Sequence, residues 1–170
     1  MSGDTVYFLT SDSTTQGVEA ESTILVGGGF AVYLNATTGA AKYNDTKQWA
    51  QNAPSDTETV GLTYNRGSWN MGLFSKRVGK MYNDNGAAHQ AVAIDPFDLT
   101  NVFLNYQVGG SSMLANSRIR FAVNNLTNNH AITGITPAST ASNLAAGGDI
   151  LTLMGGRSVS VSFSMGFSPR

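Results

Sequence analysis

Two histidines, His89 and His130, are the residues best suited to metal or proton chemistry in this chain, which has no cysteine. A protein metal site needs three or four converging ligands, and no spacing in the sequence brings both histidines together with a carboxylate. Each falls in a stretch rich in Asn, Gly and Ala and reads as a solvated loop residue. Asn83-Asp84-Asn85-Gly86 superficially suggests a calcium loop. Setting Gly86 at the invariant turn position puts Met81 at the first ligand and Val92 where the bidentate Glu belongs, so the motif fails and a turn is the better reading.

The sequence has no Gly-x-Ser-x-Gly elbow, phosphate loop or dinucleotide fingerprint, and Gly27-Gly28-Gly29 precedes a strand pattern rather than a helix. A barrel hydrolase would need a Ser, a His and an orienting polar group on neighbouring strands. The sequence singles out no such set, so neither an enzyme nor a cofactor is expected. Asn35, Asn44 and Asn125 begin Asn-x-Thr triplets, which an Asn- and Thr-rich chain supplies by chance.

The other candidates are charges set among apolar stripes. Charged residues make up only 12 % of the 170 positions, the net charge is -1, and 19 glycines with many Ser, Thr and Asn carry the polarity. No basic run offers a footprint for nucleic acid. No apolar run approaches the ~18 residues of a membrane-crossing helix, so a bilayer could be crossed only by strands. The start, Met1-Ser2-Gly3-Asp4, has neither a basic nor an apolar leader region. A membrane barrel needs one, so the chain is expected to be the C-terminal piece of a longer precursor.

The positioning elements are predicted to be strands. Ser158 to Phe167 alternates without a break: Val159, Val161, Phe163, Met165 and Phe167 share one face, and serines with Gly166 share the other. Working back, the pattern predicts seven runs near 5–26, 30–43, 56–64, 69–83, 97–108, 118–130 and 149–167, and no helix. Their connections alternate short and long, as in an up-and-down barrel with short turns at one rim and long loops at the other. Tyr64, Trp69, Tyr106 and Phe167 all fall at the short-turn rim, where an aromatic girdle would sit.

The predicted class is therefore all-β: an antiparallel up-and-down transmembrane β-barrel segment, about seven strands of a larger barrel, open at both edges if alone. Glu19, Glu21, Arg118 and Arg120 lie opposite the apolar stripes and are expected to face the lumen, since Arg at mid-membrane on the lipid side costs ~2–4 kcal/mol. The alternative is a soluble all-β sandwich binding module, in which the same stripes would face a shared core.

Three stretches carry a family likeness. Gln16-Gly17-Val18-Glu19-Ala20-Glu21, Phe121-Ala122-Val123-Asn124-Asn125-Leu126-Thr127-Asn128 and the aromatic-ended last run together resemble the C-terminal barrel region of TonB-dependent outer-membrane receptors. The resemblance covers essentially all of residues 1–170, with the plug domain and signal peptide absent. It implies a barrel of about 22 strands in the outer membrane of a Gram-negative bacterium. It further implies outer-membrane lipid, the barrel-assembly machinery, a TonB energy-coupling system reached through the missing N-terminal region, and a small nutrient ligand as partners. Siderophore, corrinoid and carbohydrate ligands stay open. Phe163 and Phe167 would form the C-terminal assembly signal, and His89 and His130 would lie on the extracellular side, in reach of an imported ligand.

Overall fold

A computed structural model describes residues 12–84, 92–109, 114, 117–136 and 148–166. Among them there is no helix. Eleven strands form: β1 (Ser13–Gly27), β2 (Phe30–Tyr43), β3 (Asp56–Arg66), β4 (Trp69–Val78), β5 (Met81–Asn83), β6 (Val92–Ile94), β7 (Phe97–Gln107), β8 (Arg118–Asn124), β9 (Ile132–Thr136), β10 (Ile150–Leu153) and β11 (Ser158–Ser164). Seven of them make one antiparallel sheet in the order β1-β2-β3-β4-β7-β8-β11. The sheet is not closed: β1 pairs only with β2, and β11 only with β8.

The short turns supply the backbone that the pairing demands. Gly27, Gly28 and Gly29 all have positive φ between β1 and β2, and Gly67 does so between β3 and β4. Side chains rarely tolerate that region, whereas glycine enters it at little cost. These turns and the β7–β8 connection lie at one end of the sheet, and the three long connections lie at the other.

Three of the predicted runs are shorter than the alternation suggested. The fourth, expected to continue to Asn83, breaks at Gly79 and Lys80. Gly79 donates its N–H to the carbonyl of Asp56 at 2.8 Å, and a Cβ there would fall 2.3 Å from the Asp56 carboxylate. The sixth, expected to reach His130, stops at Asn124 because Asn125 and Asn128 adopt positive φ. The last run divides into β10 and β11 around Met154–Arg157. Its terminal Phe167, and the expected start of the first run before Asp12, lie outside the described residues.

Beyond the long-connection rim, β5–β6 and β9–β10 form two small hairpins. Met81, Val92, Ile94 and Ile135 bury one another there, with Phe97 and Ile132 packed alongside. These are the most buried large apolar side chains of the described residues, apart from Ala122 and Val123 in the sheet. The main sheet has no comparable core. Val18, Ile24, Phe30, Leu34, Val60, Leu62, Leu73, Ile119, Phe121, Val159, Val161 and Phe163 stand exposed on one face, Val161 at 70 %. Among the described residues no second sheet covers them, so the sandwich with shared apolar interior is not what forms.

Candidate functional site

Register converts these strands into a surface with two chemistries, because residues paired across antiparallel strands share a face. On the apolar face one row reads Val32, Leu62, Leu73, Val102, Val123 and Val159. Toward the short-turn end the face closes on aromatic pairs, Phe30 with Tyr64 at 4.7 Å and Trp69 with Tyr106 at 4.6 Å between ring centroids. Toward the other end it closes on Glu58, Arg77 and Asp98, consecutive in register. Trp69 and Arg77 on β4 are eight residues apart, about 27 Å along a strand and about 20 Å after typical barrel tilt. Tyr64, Trp69 and Tyr106, three of the four residues that sequence placed at an aromatic rim, stand there, joined by Phe30, and the charged boundary opposite them is new. Arg77 Nη1 is 2.9 Å from Asp56 Oδ2 in a solvent-exposed ion pair; such a pair contributes ~0–1 kcal/mol.

The other face is polar and carries all four charges that sequence singled out. Glu19 Oε1 accepts from Asn35 Nδ2 at 3.1 Å, and Glu21 Oε2 accepts from the Tyr33 hydroxyl at 3.3 Å. Arg120 stands 5.9 Å over the Phe103 ring. Arg118 sits one pair nearer the short-turn end, opposite Gln107. The acids are on the β1 edge and the arginines on β8, with four strands between them in the sheet order, so they form no ion pair with one another. Phe163 lies on the apolar face of β11, paired with Ile119. Exposed His130 borders a groove of about 330 Å3 with Asp95, Pro96 and Ile132, above the long-connection rim. His89 and Phe167 lie outside the described residues. No group of three His, Cys, Asp or Glu side chains that could hold a metal is found among the described residues.

Three arrangements were not visible in the sequence, two of them on this face. The first is a track of rings lying on glycines. Gly61 faces Phe74 across β3 and β4, and Gly72 faces Phe103 across β4 and β7. A Cβ on Gly61 would fall 2.5 Å from the Phe74 ring, and one on Gly72 2.5 Å from Phe103. Phe74 and Phe103 are nearly parallel, at 14° and 6.3 Å, and Tyr33 meets Phe74 edge-on at 6.1 Å. Rings thus cover the backbone that the glycines leave bare. Gly72→Val is expected to push both rings out of place and cost ~1–3 kcal/mol of stability, measurable as a lower urea midpoint for the refolded protein. An unchanged midpoint would show that the rings move freely.

The second is a row of amides, Asn65, Asn70 and Asn105, which leads in register to Arg120 and Ser162. The third gives the Val-Asn-Asn-Leu stretch its physical meaning. Asn125 is 2 % exposed. Its Nδ2 donates to the carbonyls of Asn129 at 2.7 Å and Gly155 at 2.8 Å, and its Oδ1 accepts from the Asn129 N–H at 2.9 Å. Its own N–H donates to Asn101 Oδ1 at 2.9 Å. Asn128 Oδ1 accepts from the Arg157 N–H, and Asn129 Nδ2 donates to the Asp98 carbonyl, both at 2.9 Å. This knot ties β7, the end of β8 and the lead into β11. The other stretch, around Gly17, is a close approach of backbones: Gly17 pairs with Gly39, and a Cβ on Gly17 would lie 2.8 Å from the Thr38 carbonyl oxygen.

Comparison with known proteins follows the same lines. The family model described as TonB dependent receptor-like, beta-barrel, matches residues 2–126. Among solved structures, the copper transporter OprC superposes with a TM-score of 0.66 at 16 % identity, over 89 % of this chain and 24 % of its own. FpvA of P. aeruginosa, bound to a heterologous pyoverdine with iron, gives 0.61 at 18 % identity, over 89 % and 19 %. The siderophore receptor PiuA of Acinetobacter baumannii gives 0.59 at 17 % identity, over 88 % and 21 %. The chain thus spans a quarter or less of the length of these proteins. No curated protein matches it in sequence.

Proposed function

The chain belongs to the TonB-dependent receptor-like β-barrel family, and from that premise we propose that it forms part of the wall of an outer-membrane receptor that imports a small nutrient. Residues 1–170 are then the C-terminal part of a barrel completed by further strands and filled by a plug. Energy reaches the receptor through a TonB system that engages another region of the longer protein. The apolar face meets lipid. The polar face, with Glu19, Glu21, Arg118 and Arg120, meets the lumen and the plug. The role is that of a scaffold and conduit, without catalysis or a resident cofactor.

The observation that carries this reading is the exposure of the apolar rows on an unclosed antiparallel sheet whose opposite face is polar. In water such a surface would drive aggregation. Between an aromatic and a charged boundary, facing hydrocarbon, it is stabilising. Phe163, with Phe167 beyond it, is proposed to be read by the barrel-assembly machinery. The hairpins β5–β6 and β9–β10 and the groove beside His130 then project outward on the extracellular side, where an incoming ligand would first be met. The nutrient is of the siderophore, corrinoid or carbohydrate class; the superposed proteins, described as a copper transporter, FpvA bound to a pyoverdine with iron, and a siderophore receptor, leave that choice open.

The test is fractionation of the full-length receptor that carries this segment. It is expected in the outer membrane, with migration in detergent gels that changes on boiling. Recovery as a soluble, monodisperse protein whose migration is indifferent to heat would overturn the reading.

A further inference from the structure

On the apolar face of β2 the side chains run Phe30, Val32, Leu34, Ala36, Thr38 and Ala40 away from the short turns, and the first charge is Lys42. From Phe30, in the aromatic rim, to Lys42 is about 40 Å along the strand and about 29 Å after typical barrel tilt. A lipid-facing apolar band is about 25 Å tall, so Lys42 stands just past its outer margin, at headgroup level. There the face carries a hollow of about 260 Å3 lined by Thr14, Gln16, Ala40, Lys42, Asn44 and Lys47. It offers two ammonium groups, a hydroxyl and two amides around a small apolar floor, and no carboxylate lines it. The Thr14 hydroxyl donates to Asn44 Oδ1 at 2.7 Å, which leaves the Asn44 Nδ2 hydrogens for another acceptor. The acids nearby are turned elsewhere: Asp45 Oδ1 accepts from the Thr46 N–H at 2.7 Å and Asp84 Oδ2 from the Tyr43 hydroxyl at 2.8 Å, while Asp12 flanks Asn44 at the outer end through its carbonyl.

Lys42 is also held in place. It pairs with Trp49, so the two share a face, and its Nζ lies 5.6 Å over the Trp49 ring. Trp49 stacks on Tyr82 at 6.4 Å and 25°, and Lys80 Nζ lies 5.4 Å over Tyr82. Rings interleaved with lysines suit a membrane interface, where the ring sits among headgroups and the lysine stem rests on apolar surface with its charge outward. Nearer the middle of the same face is a shallow depression of about 390 Å3, floored by Ala20 and Ala36 between Ser22, Leu34 and Val60, with Glu58 at its edge. Along β2 only Thr38 separates its floor from that of the hollow. The small side chains leave a channel that an acyl chain fills.

We propose that the outward face of β1 and β2 binds one anionic membrane lipid, its phosphate held between Lys42 and Lys47 and an acyl chain laid over Ala36 and Ala20. The phosphate oxygens accept from both ammonium groups and from Asn44 Nδ2, in charge-assisted hydrogen bonds. The cations stand at the end of an apolar channel, so the occupant is a lipid rather than a free phosphate. The inference rests on the reading that this face meets lipid. The face points away from the plug, and a strand added beside β1 extends it sideways without covering it.

The probes are dioleoyl phosphatidylglycerol and dioleoyl phosphatidylcholine, which share their acyl chains and differ in net charge. Each is titrated into the full-length receptor in detergent, and bound lipid is counted by native mass spectrometry. Phosphatidylglycerol is expected to bind about thirtyfold more tightly, about fivefold for each lysine near the phosphate. Lys42→Gln and Lys47→Gln each weaken it about fivefold, and together they remove the preference while leaving phosphatidylcholine unchanged. Ala40→Phe keeps both cations and fills the floor of the hollow, and it also removes the preference. Glycerol 3-phosphate, which carries the phosphate without acyl chains, fails to displace the lipid at equal concentration. Only variants with unaltered heat-dependent migration are compared; the lysine changes and Ala40→Phe are independent, so one that fails to assemble leaves the others decisive. Equal binding of the two lipids overturns the proposal, as does a preference that the double lysine variant retains or displacement by glycerol 3-phosphate. A receptor that fractionates with the outer membrane yet shows no preference counts against the hollow alone, whereas a soluble protein counts against the lipid-facing reading beneath it.

Discussion

Leu62→Arg is expected to lower the unfolding free energy of the refolded receptor by about 2–4 kcal/mol, the depth-dependent penalty for a cation on the hydrocarbon side of a barrel. Leu62 is 47 % exposed and central in its row, with Val32 and Leu73 to either side. On a soluble protein a residue that open to solvent would accept Arg within about 0.5 kcal/mol. The sign of burial is inverted here, because the solvent proposed for this face is lipid. Thr63→Arg supplies the control: it is the next residue on the same strand, paired with Gly72 on the polar face, and its charge would point into water. Urea titrations in lipid vesicles should separate the two by most of that penalty. Equal effects would mean that the faces are not chemically distinct, and the lipid assignment would fall with them.

Asn125→Ala should be comparably damaging for an unrelated reason. The side chain makes three hydrogen bonds in a nearly sealed position, and its removal leaves the Asn129 N–H and the Asn129 and Gly155 carbonyls without their partner. Each unsatisfied buried group costs ~1–3 kcal/mol, but relaxation and water entry offset part of the sum, so about 3 kcal/mol in total is expected. The positive φ of 52° adds a smaller strain once Ala replaces Asn. Asn125→Gly separates the terms, because it relieves the backbone and still forfeits the bonds. Both variants should therefore show lowered urea midpoints, with Gly the milder. If Asn125→Gly matched the unaltered protein, the bonds would contribute nothing and the conformation alone would explain the residue.

What was legible in the sequence was whatever a single strand reports about itself. Period-two alternation in Ser158–Ser164 located β11 and its faces, and glycines at 27–29 and at 67 marked the tight turns, because both signals are local. The placement of Glu19, Glu21, Arg118 and Arg120 opposite the apolar rows followed from the same parity. The three-residue β6 escaped notice and β5 was absorbed into the fourth run, since three residues show no period of their own. Asn125 ended β8 early through a left-handed backbone that Asn tolerates but does not announce. The glycine-seated rings and the amide row depend on which residue of one strand meets which residue of the next. Phe74, Asn70 and Asn105 are unremarkable in their own strands and acquire meaning only through register.

The rings on glycines bear on how the strands find that register. The only vacant seats beneath Phe74 and Phe103 are Gly61 and Gly72. Sliding β4 by one pleat against β3 would bring Phe74 over Thr59 or Thr63, whose branched side chains occupy the space the ring needs. A slip of two residues preserves inside and outside, so the hydrophobic pattern alone would permit it. The glycines thus work as notches and the rings as pawls, since a slipped pairing would set Phe74 against a branched side chain. Since the stagger between strands fixes the girth of a closed barrel, this small ratchet would help set the width of the barrel proposed above.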